Sequence, residues 1–245
     1  RYTVDENWVV PHFEKMLYDN AQFILLLSKY CKINKQDYFR DKLDQTIQFL
    51  IKNFSNKDNL LGSAYDADSG GEEGKYYLWE YDELKKILNE KEFNLAKKIF
   101  KISKKGDWND KIIIKRKFFE SEKNNQINKL KKKLLKIREG RIKPLIDKKI
   151  ILSWNSIMLK GILSSYQSTG DEKYLSLAIK NANFISNKFL KNKNLIRVYG
   201  SRINAFLEDF AHTISAFIKL FETTQNIKDL ENARKLMEDS IRLFY

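Results

Sequence analysis

Apolar residues recur every three or four positions at Phe39, Leu43, Ile47, Leu50 and Phe54, and again at Leu207, Phe210, Ile214, Phe217 and Phe221. That period belongs to helices with one face against a core, so the chain is predicted to be mainly α. Aligned on their connections, Tyr30-x7-Tyr38-Phe39, Tyr166-x7-Tyr174-Leu175 and Phe221-x7-Asp229-Leu230 share one spacing. In each, an aromatic residue closes one helix and an apolar residue opens the next. The short polar turns between them are Asn34-Lys35-Gln36, Thr169-Gly170-Asp171 and Gln225-Asn226. Repeated helical hairpins follow. The last two connections lie 55 residues apart and the first two 136 apart. The longer interval has room for roughly one further hairpin plus insertions, with helix candidates at residues 81–88, 92–101 and 122–138. Stacked hairpins of this kind form either an open solenoid or a closed α/α toroid.

The same alignment makes Tyr18-Asp19 equivalent to Trp154-Asn155 and to Asp209-Phe210, all near the starts of first helices. Unpaired N–H groups and positive dipole ends at such starts favour oxygens and anions. In a toroid the starts converge on one mouth, so a sugar-sized polar pocket is expected there. Residues 60–79 read as a β-hairpin insertion entering from the same side, as a lid or pocket wall.

Two kinds of motif concentrate chemistry. In Tyr65-Asp66-Ala67-Asp68-Ser69-Gly70-Gly71-Glu72-Glu73-Gly74 the aspartates are two apart in what reads as extended backbone, so they are expected to share a face. Close carboxylates split their pKa values, as general acid and base roles require. The alternatives are turn capping and calcium ligation; for calcium the glycine falls a residue early and no third oxygen ligand precedes the turn. His12, two residues before Glu14 and read as lying at a helix start, is either a proton carrier or a hydrogen-bonded cap. His212 follows Glu208 by one turn, so the two share a helix face and, with Asp209, complete the candidate catalytic set. Burial beside Phe210 and Phe217 is the alternative for His212. Candidate sugar-binding side chains are the rings of Trp8, Tyr18, Tyr76, Trp79 and Trp154, with Asp19 and Asn155 beside them; the alternative is that these aromatics are core. No metal and no cofactor is expected. Two distant histidines lack zinc spacing, and Gly70, Gly71 and Gly74 lack the Lys-Ser/Thr of a phosphate loop.

The net charge is +14, yet residues 97–149 carry 20 Lys and Arg against 6 Asp and Glu, while the remainder balances at 26 against 26. Within residues 129–141, Leu130, Leu134 and Ile137 recur at helical spacing beneath Lys131, Lys132, Lys133 and Lys136. That is the pattern of a solvated amphipathic helix, and nucleic acid is not expected as a partner. No window approaches the roughly 18 uninterrupted apolar residues of a membrane span, so no membrane partner is expected either. Cys31 is the only cysteine, which excludes an internal disulfide and points to packing in a reducing, cytoplasmic setting. The chain is expected to form a single domain over residues 1–245, and its start reads as that of an excerpt from a longer protein.

Four motifs carry a family resemblance. They are Arg1-Tyr-Thr-Val-Asp-Glu-x-Trp-x-Val-Pro-His-Phe-Glu-Lys-Met-Leu-Tyr-Asp-Asn-Ala21, Ser63-Ala-x-Asp-Ala-Asp-Ser-x-Gly-Glu-Glu-Gly-Lys-Tyr-Tyr-x-Trp79, Lys149-Ile-Ile-Leu-Ser-Trp-Asn155 and Leu207-Glu-Asp-Phe-Ala211. In this order they resemble the YyaL-type thioredoxin-domain-containing proteins, which include the spermatogenesis-associated members. The resemblance implies a partial (α/α)6 toroid of the six-hairpin glycosidase class, related to N-acylglucosamine 2-epimerases. It also implies a partner thioredoxin-like domain upstream and closing hairpins, both outside this chain. The chain departs from the family pattern at Asp147-Lys148-Lys149, where Asp-Asp-Lys is usual, and at Ser156, where a glycine often stands. The function expected by analogy is a carbohydrate-active enzyme that epimerises or hydrolyses a small-molecule sugar. Asp66 and Asp68 would face Glu208 and Asp209, His12 or His212 would move a proton, and Trp154 and Tyr18 would stack on the ring. The alternative is a non-catalytic domain that recognises glycans or client proteins for the thioredoxin-like domain.

Overall fold

A computed structural model of the chain describes residues 2–34, 36–56, 60–117, 124–190 and 195–245. Arg1, Lys35 and Glu122, assigned above to a motif, a turn and a helix start, lie outside the described residues. In chain order the elements are β1 (Lys15–Met16), α1 (Leu17–Ile33), α2 (Asp37–Phe54), β2 (Ala64–Tyr65), β3 (Asp68–Ser69) and β4 (Glu72–Glu73). There follow α3 (Tyr81–Ile87), α4 (Glu90–Ile99), α5 (Asn125–Glu139), β5 (Ile146–Asp147), α6 (Leu152–Thr169) and α7 (Glu172–Ile185), which a π-helical turn (Ser186–Leu190) extends. The last are α8 (Leu207–Thr224) and α9 (Ile227–Phe244). β1, β2 and β5 form a sheet in the order β1-β2-β5. The chain divides into two compact units, one of Arg1–Glu14 with Tyr65–Leu145, the other of Lys15–Ala64 with Ile146–Tyr245.

The second unit holds the repeated hairpins, α1 with α2, α6 with α7 and α8 with α9. Their first helices pack side by side, with α6 between α1 and α8. Gly161 permits the close approach of α6 to α1: a Cβ there would lie 3.1 Å from the Ala21 carbonyl oxygen and 3.2 Å from Ile24 Cγ2. Small hydroxyls line both seams, Ser28 to Ser165 at 3.0 Å and Ser156 to Thr213 at 2.9 Å. Ser28, Ser165 and Thr213 also bond back to carbonyls four residues earlier, so burial leaves them satisfied. The connections close as their residue types dictate. Asp171 and Asn226 accept the N–H groups of Lys173 and Lys228, after left-handed residues Gly170 and Gln225 have ended α6 and α8. Tyr30 meets Phe39 edge-on at 4.6 Å, the expected aromatic closure of the first hairpin. The stripe Leu43, Ile47, Leu50 and Phe54 is buried on α2, and Phe210, Ile214 and Phe217 on α8, whereas Leu207 at the very start of α8 is 54% exposed.

The first unit contains the β-hairpin insertion, in which β3 and β4 pair Asp68 with Glu73 and Ser69 with Glu72 around Gly70-Gly71. Helices α3, α4 and α5 surround Trp79, Leu84, Leu88, Phe93, Phe100, Ile112, Leu130 and Leu134. At 7, 10 and 15 residues they do not form a fourth hairpin of the shared spacing, so the long interval between repeats holds a separate core instead. Lys132 and Lys136 of α5 are exposed and Lys133 pairs with Glu92 at 2.5 Å, which makes the basic run a solvated face. Among the described residues no helix is long and apolar enough to cross a membrane.

Candidate functional site

Helices α1, α6 and α8 begin at Leu17, Leu152 and Leu207, so Tyr18-Asp19, Trp154-Asn155 and Asp209-Phe210 do occupy first turns. Tyr18 and Trp154 touch edge-to-face, with centroids 4.9 Å apart. Asn155 and Asp209, both fully buried, are engaged by backbone. The Asn155 amide accepts the Leu61 N–H at 3.1 Å and donates to the carbonyls of Leu61 and Ile151. The Asp209 carboxylate accepts the N–H groups of Ser153 at 3.1 Å and Phe206 at 2.9 Å, which joins the starts of α6 and α8. Arg197 reaches the same carboxylate at 3.0 Å, also binds Glu208, and lies 4.6 Å over the Phe206 ring.

Open positions remain around these clamps. Trp154 and Lys160 are the partly exposed residues of α6 before its last turn, Glu208 is half exposed, and His212 is half-buried one turn further along α8. Burial pushes the His212 pKa below its ordinary 6.5 and the nearby Lys160 ammonium lowers it further, against the opposing pull of Glu208 and Asp209. Near neutral pH the imidazole is therefore uncharged and able to accept a proton. Sequence reading passed over Arg197 and Lys160. For Lys160 a signal existed, since it is the only charged residue between Lys149 and Asp171.

In the first unit the placements differ from expectation. His12 is not at a helix start: α1 begins five residues later, and His12 lies on an extended arm where its N–H donates to the Tyr2 carbonyl at 2.9 Å. The arm is closed by the Asp5 carboxylate, which accepts the N–H groups of Val10, Val9 and Asn7 and is thereby held below the usual carboxylate range. The His12 ring stacks on Tyr2 at 4.6 Å and its Nδ1 lies 3.9 Å from Glu14. Trp8, 79% exposed, sits at the tip of this loop with a positive φ of 54°. The extended backbone expected through Asp66 and Asp68 is interrupted by a bend at Ala67, where Asp66 accepts the Asp68 N–H at 3.2 Å. Both carboxylates are exposed, Asp66 before the bend and Asp68 in strand β3. Trp79 is 3% exposed with the Arg141 guanidinium 4.0 Å over its ring, so it is enclosed in the core. Tyr76 is buried too, beside a cleft of about 380 Å³ that Lys75, Glu80, Lys111 and Arg141 also line. Among the described residues no three or more His, Cys, Asp or Glu side chains gather as a metal site.

No protein-family model matches the chain. Among curated proteins it is 29% identical to an uncharacterised protein of Caenorhabditis elegans, over 97% of this chain and 39% of that protein. It is 26% identical to spermatogenesis-associated protein 20 of Mus musculus and 25% identical to that of Homo sapiens, over 100% of this chain and 37% of each. The chain thus spans under two fifths of the length of these mammalian relatives. Among solved structures, cellobiose 2-epimerase from Spirochaeta thermophila superposes with a TM-score of 0.55 at 12% identity, covering 96% of this chain and 44% of that one. An unsaturated glucuronyl hydrolase specific for heparin superposes at 0.54 with 15% identity, covering 95% and 48%. At such identities the likeness is one of fold. The chain is a homologue of spermatogenesis-associated protein 20, and its helical hairpins match part of the (α/α)6-toroid fold of these epimerase and hydrolase structures.

Proposed function

We propose that the hairpin unit is a carbohydrate-active enzyme domain that epimerises or isomerises a sugar by moving a carbon-bound proton, with His212 as the base. The observation that carries this reading is the half-buried imidazole of His212 on α8, one turn after Glu208, which burial and the Lys160 ammonium bias toward its uncharged form. An uncharged imidazole is what abstraction of a proton next to a carbonyl requires, and the Lys160 cation would stabilise the charge that develops on oxygen. Trp154 and Tyr18 supply ring faces at the same end of the helices. Hydrolysis is less well served within this unit, because Asp209 is engaged by two backbone N–H groups and Arg197, and Glu208 by Arg197. The setting is cytoplasmic in this reading.

Incubating the protein with a panel of aldoses and ketoses in deuterated water tests it. Proton NMR should show solvent deuterium replacing the hydrogen next to the carbonyl of at least one sugar. Exchange should fall at least about 100-fold in His212→Asn, the usual scale for losing a general base. Sugars that bind without exchanging would overturn catalysis and favour the recognition-domain alternative.

A further inference from the structure

A cavity of about 480 Å³ lies in the hairpin unit, along α9 and against the start of α8. Its α9 wall follows from sequence spacing. Asn232, Leu236, Asp239 and Leu243 succeed one another at four, three and four residues and so share one helix face, with Lys235 and Arg242 along one edge of that face. The other walls include Phe189 and Leu190 from the π-helical turn that extends α7, Ala205, and Phe210 of α8. Phe189, Phe210 and Leu236 are almost fully withdrawn from solvent. Turns of π type are rare and concentrate at functional sites, and this one carries two apolar side chains to the cavity. The volume falls within the roughly 300 to 1,000 Å³ of small-molecule sites, and mostly apolar walls with a few polar groups are their usual make-up.

The polar groups indicate what kind of molecule fits. Asp239 is paired with Arg242 at 2.6 Å, whereas among the described residues Lys235 has no ion pair and the Asn232 amide no hydrogen bond. The lining therefore keeps one uncompensated ammonium beside an apolar hollow. An uncharged sugar would set its hydroxyls against Phe189 and Phe210 with nothing to bond them. An apolar chain would gain from leaving water there, and a carboxylate at its end would accept hydrogen bonds from Lys235 and Asn232. Phe210 and His212 are two residues apart on α8, roughly 200° around the helix, so this cavity is not the surface on which His212 lies.

We propose that the cavity binds a small amphipathic carboxylate, its apolar chain against Phe189, Phe210 and Leu236 and its carboxylate at Lys235 and Asn232. The site is independent of the epimerase reading.

Calorimetric titration of the full chain with decanoate, decanol and acetate, the first two below the concentrations at which they aggregate, tests it. Decanoate should bind at one equivalent and about five- to tenfold more tightly than decanol, the scale of a hydrogen bond to a charged group in a partly open site. Acetate, which has the charge without the chain, should show no binding. Lys235→Gln, at an exposed position, should bring decanoate down to the affinity of decanol. Asn232→Phe, which narrows the cavity from a partly exposed position, should abolish binding of both while leaving the urea midpoint unchanged. Absence of decanoate binding, equal affinity for decanoate and decanol, or a preference that survives Lys235→Gln would overturn the proposal. So would several equivalents of decanoate bound alike by both variants, the mark of adsorption to exposed apolar surface. A dimer in sedimentation that Asn232→Phe dissociates would overturn it by making the cavity an interface between copies.

Discussion

A polar side chain in the first turn of a helix has two uses, to hold a ligand or to satisfy backbone, and Asp209 and Asn155 take the second. Residue type alone made them candidates; what decides the use is which N–H groups arrive from 56 and 94 residues away in sequence, and no local pattern reports that. Asp209→Ala leaves the Ser153 and Phe206 N–H groups without their acceptor and removes a buried partner of Arg197. It should cost about 3 kcal/mol in urea unfolding, and near-native stability would contradict the clamp. His212 gives a pH signature. Its pKa is lower in the folded chain than the ordinary 6.5, so above pH 6.5 both states are neutral and its contribution to stability is complete. As pH falls below 6.5 the unfolded chain takes up the proton first, and the native state loses stability. His212→Asn should flatten that loss in urea midpoints measured downward from pH 6.5, and an unchanged slope would contradict the burial of a neutral imidazole.

At the scale of elements, the three hairpins were legible because each connection is specified locally at one spacing, by the Tyr30–Phe39 contact in the first and by the capping residues Asp171 and Asn226 in the other two. The α3–α5 region was not, because its short helices depend on a core assembled from residues as far apart as Trp79 and Leu134. His12 was misplaced for a related reason: Pro11 and the acidic residues suggest a helix start, but the Asp5 carboxylate closes the preceding loop and holds the arm extended. The left-handed C-cap of α8 is occupied by Gln225 at a φ of 58°, whereas α6 uses Gly170. Gln225→Gly should therefore raise stability by about 0.5 to 1 kcal/mol, and a loss would contradict the cap conformation. Gly161→Leu forces a side chain against the Ala21 carbonyl and Ile24 across the α1–α6 seam. A loss of at least about 2 kcal/mol in thermal or urea unfolding is expected, and tolerance of leucine would contradict the close packing of the first-helix layer.

At the scale of the whole molecule, the excess behind the net charge of +14 lies within residues 97–149, where α5 turns its apolar side into a core and Lys132 and Lys136 outward. Fluorescence anisotropy with duplex DNA should give only weak binding, about 0.1 mM or weaker near physiological salt, falling steeply as salt rises. The mainly helical class was legible from repeat spacing, which left solenoid and toroid open, and the toroid from the resemblance that the four motifs carry. The use made of each polar residue was not, because it depends on helix starts meeting across the fold. The proposed epimerase requires a sugar seated beside His212 and Trp154 on the first helices of the hairpins. A crystal structure of the protein soaked with the sugar that binds best measures this directly. The account predicts density over Trp154, with the carbon next to the carbonyl within about 3.5 Å of the His212 imidazole. Density seated elsewhere, or a sugar whose reacting carbon lies out of reach of His212, would contradict it.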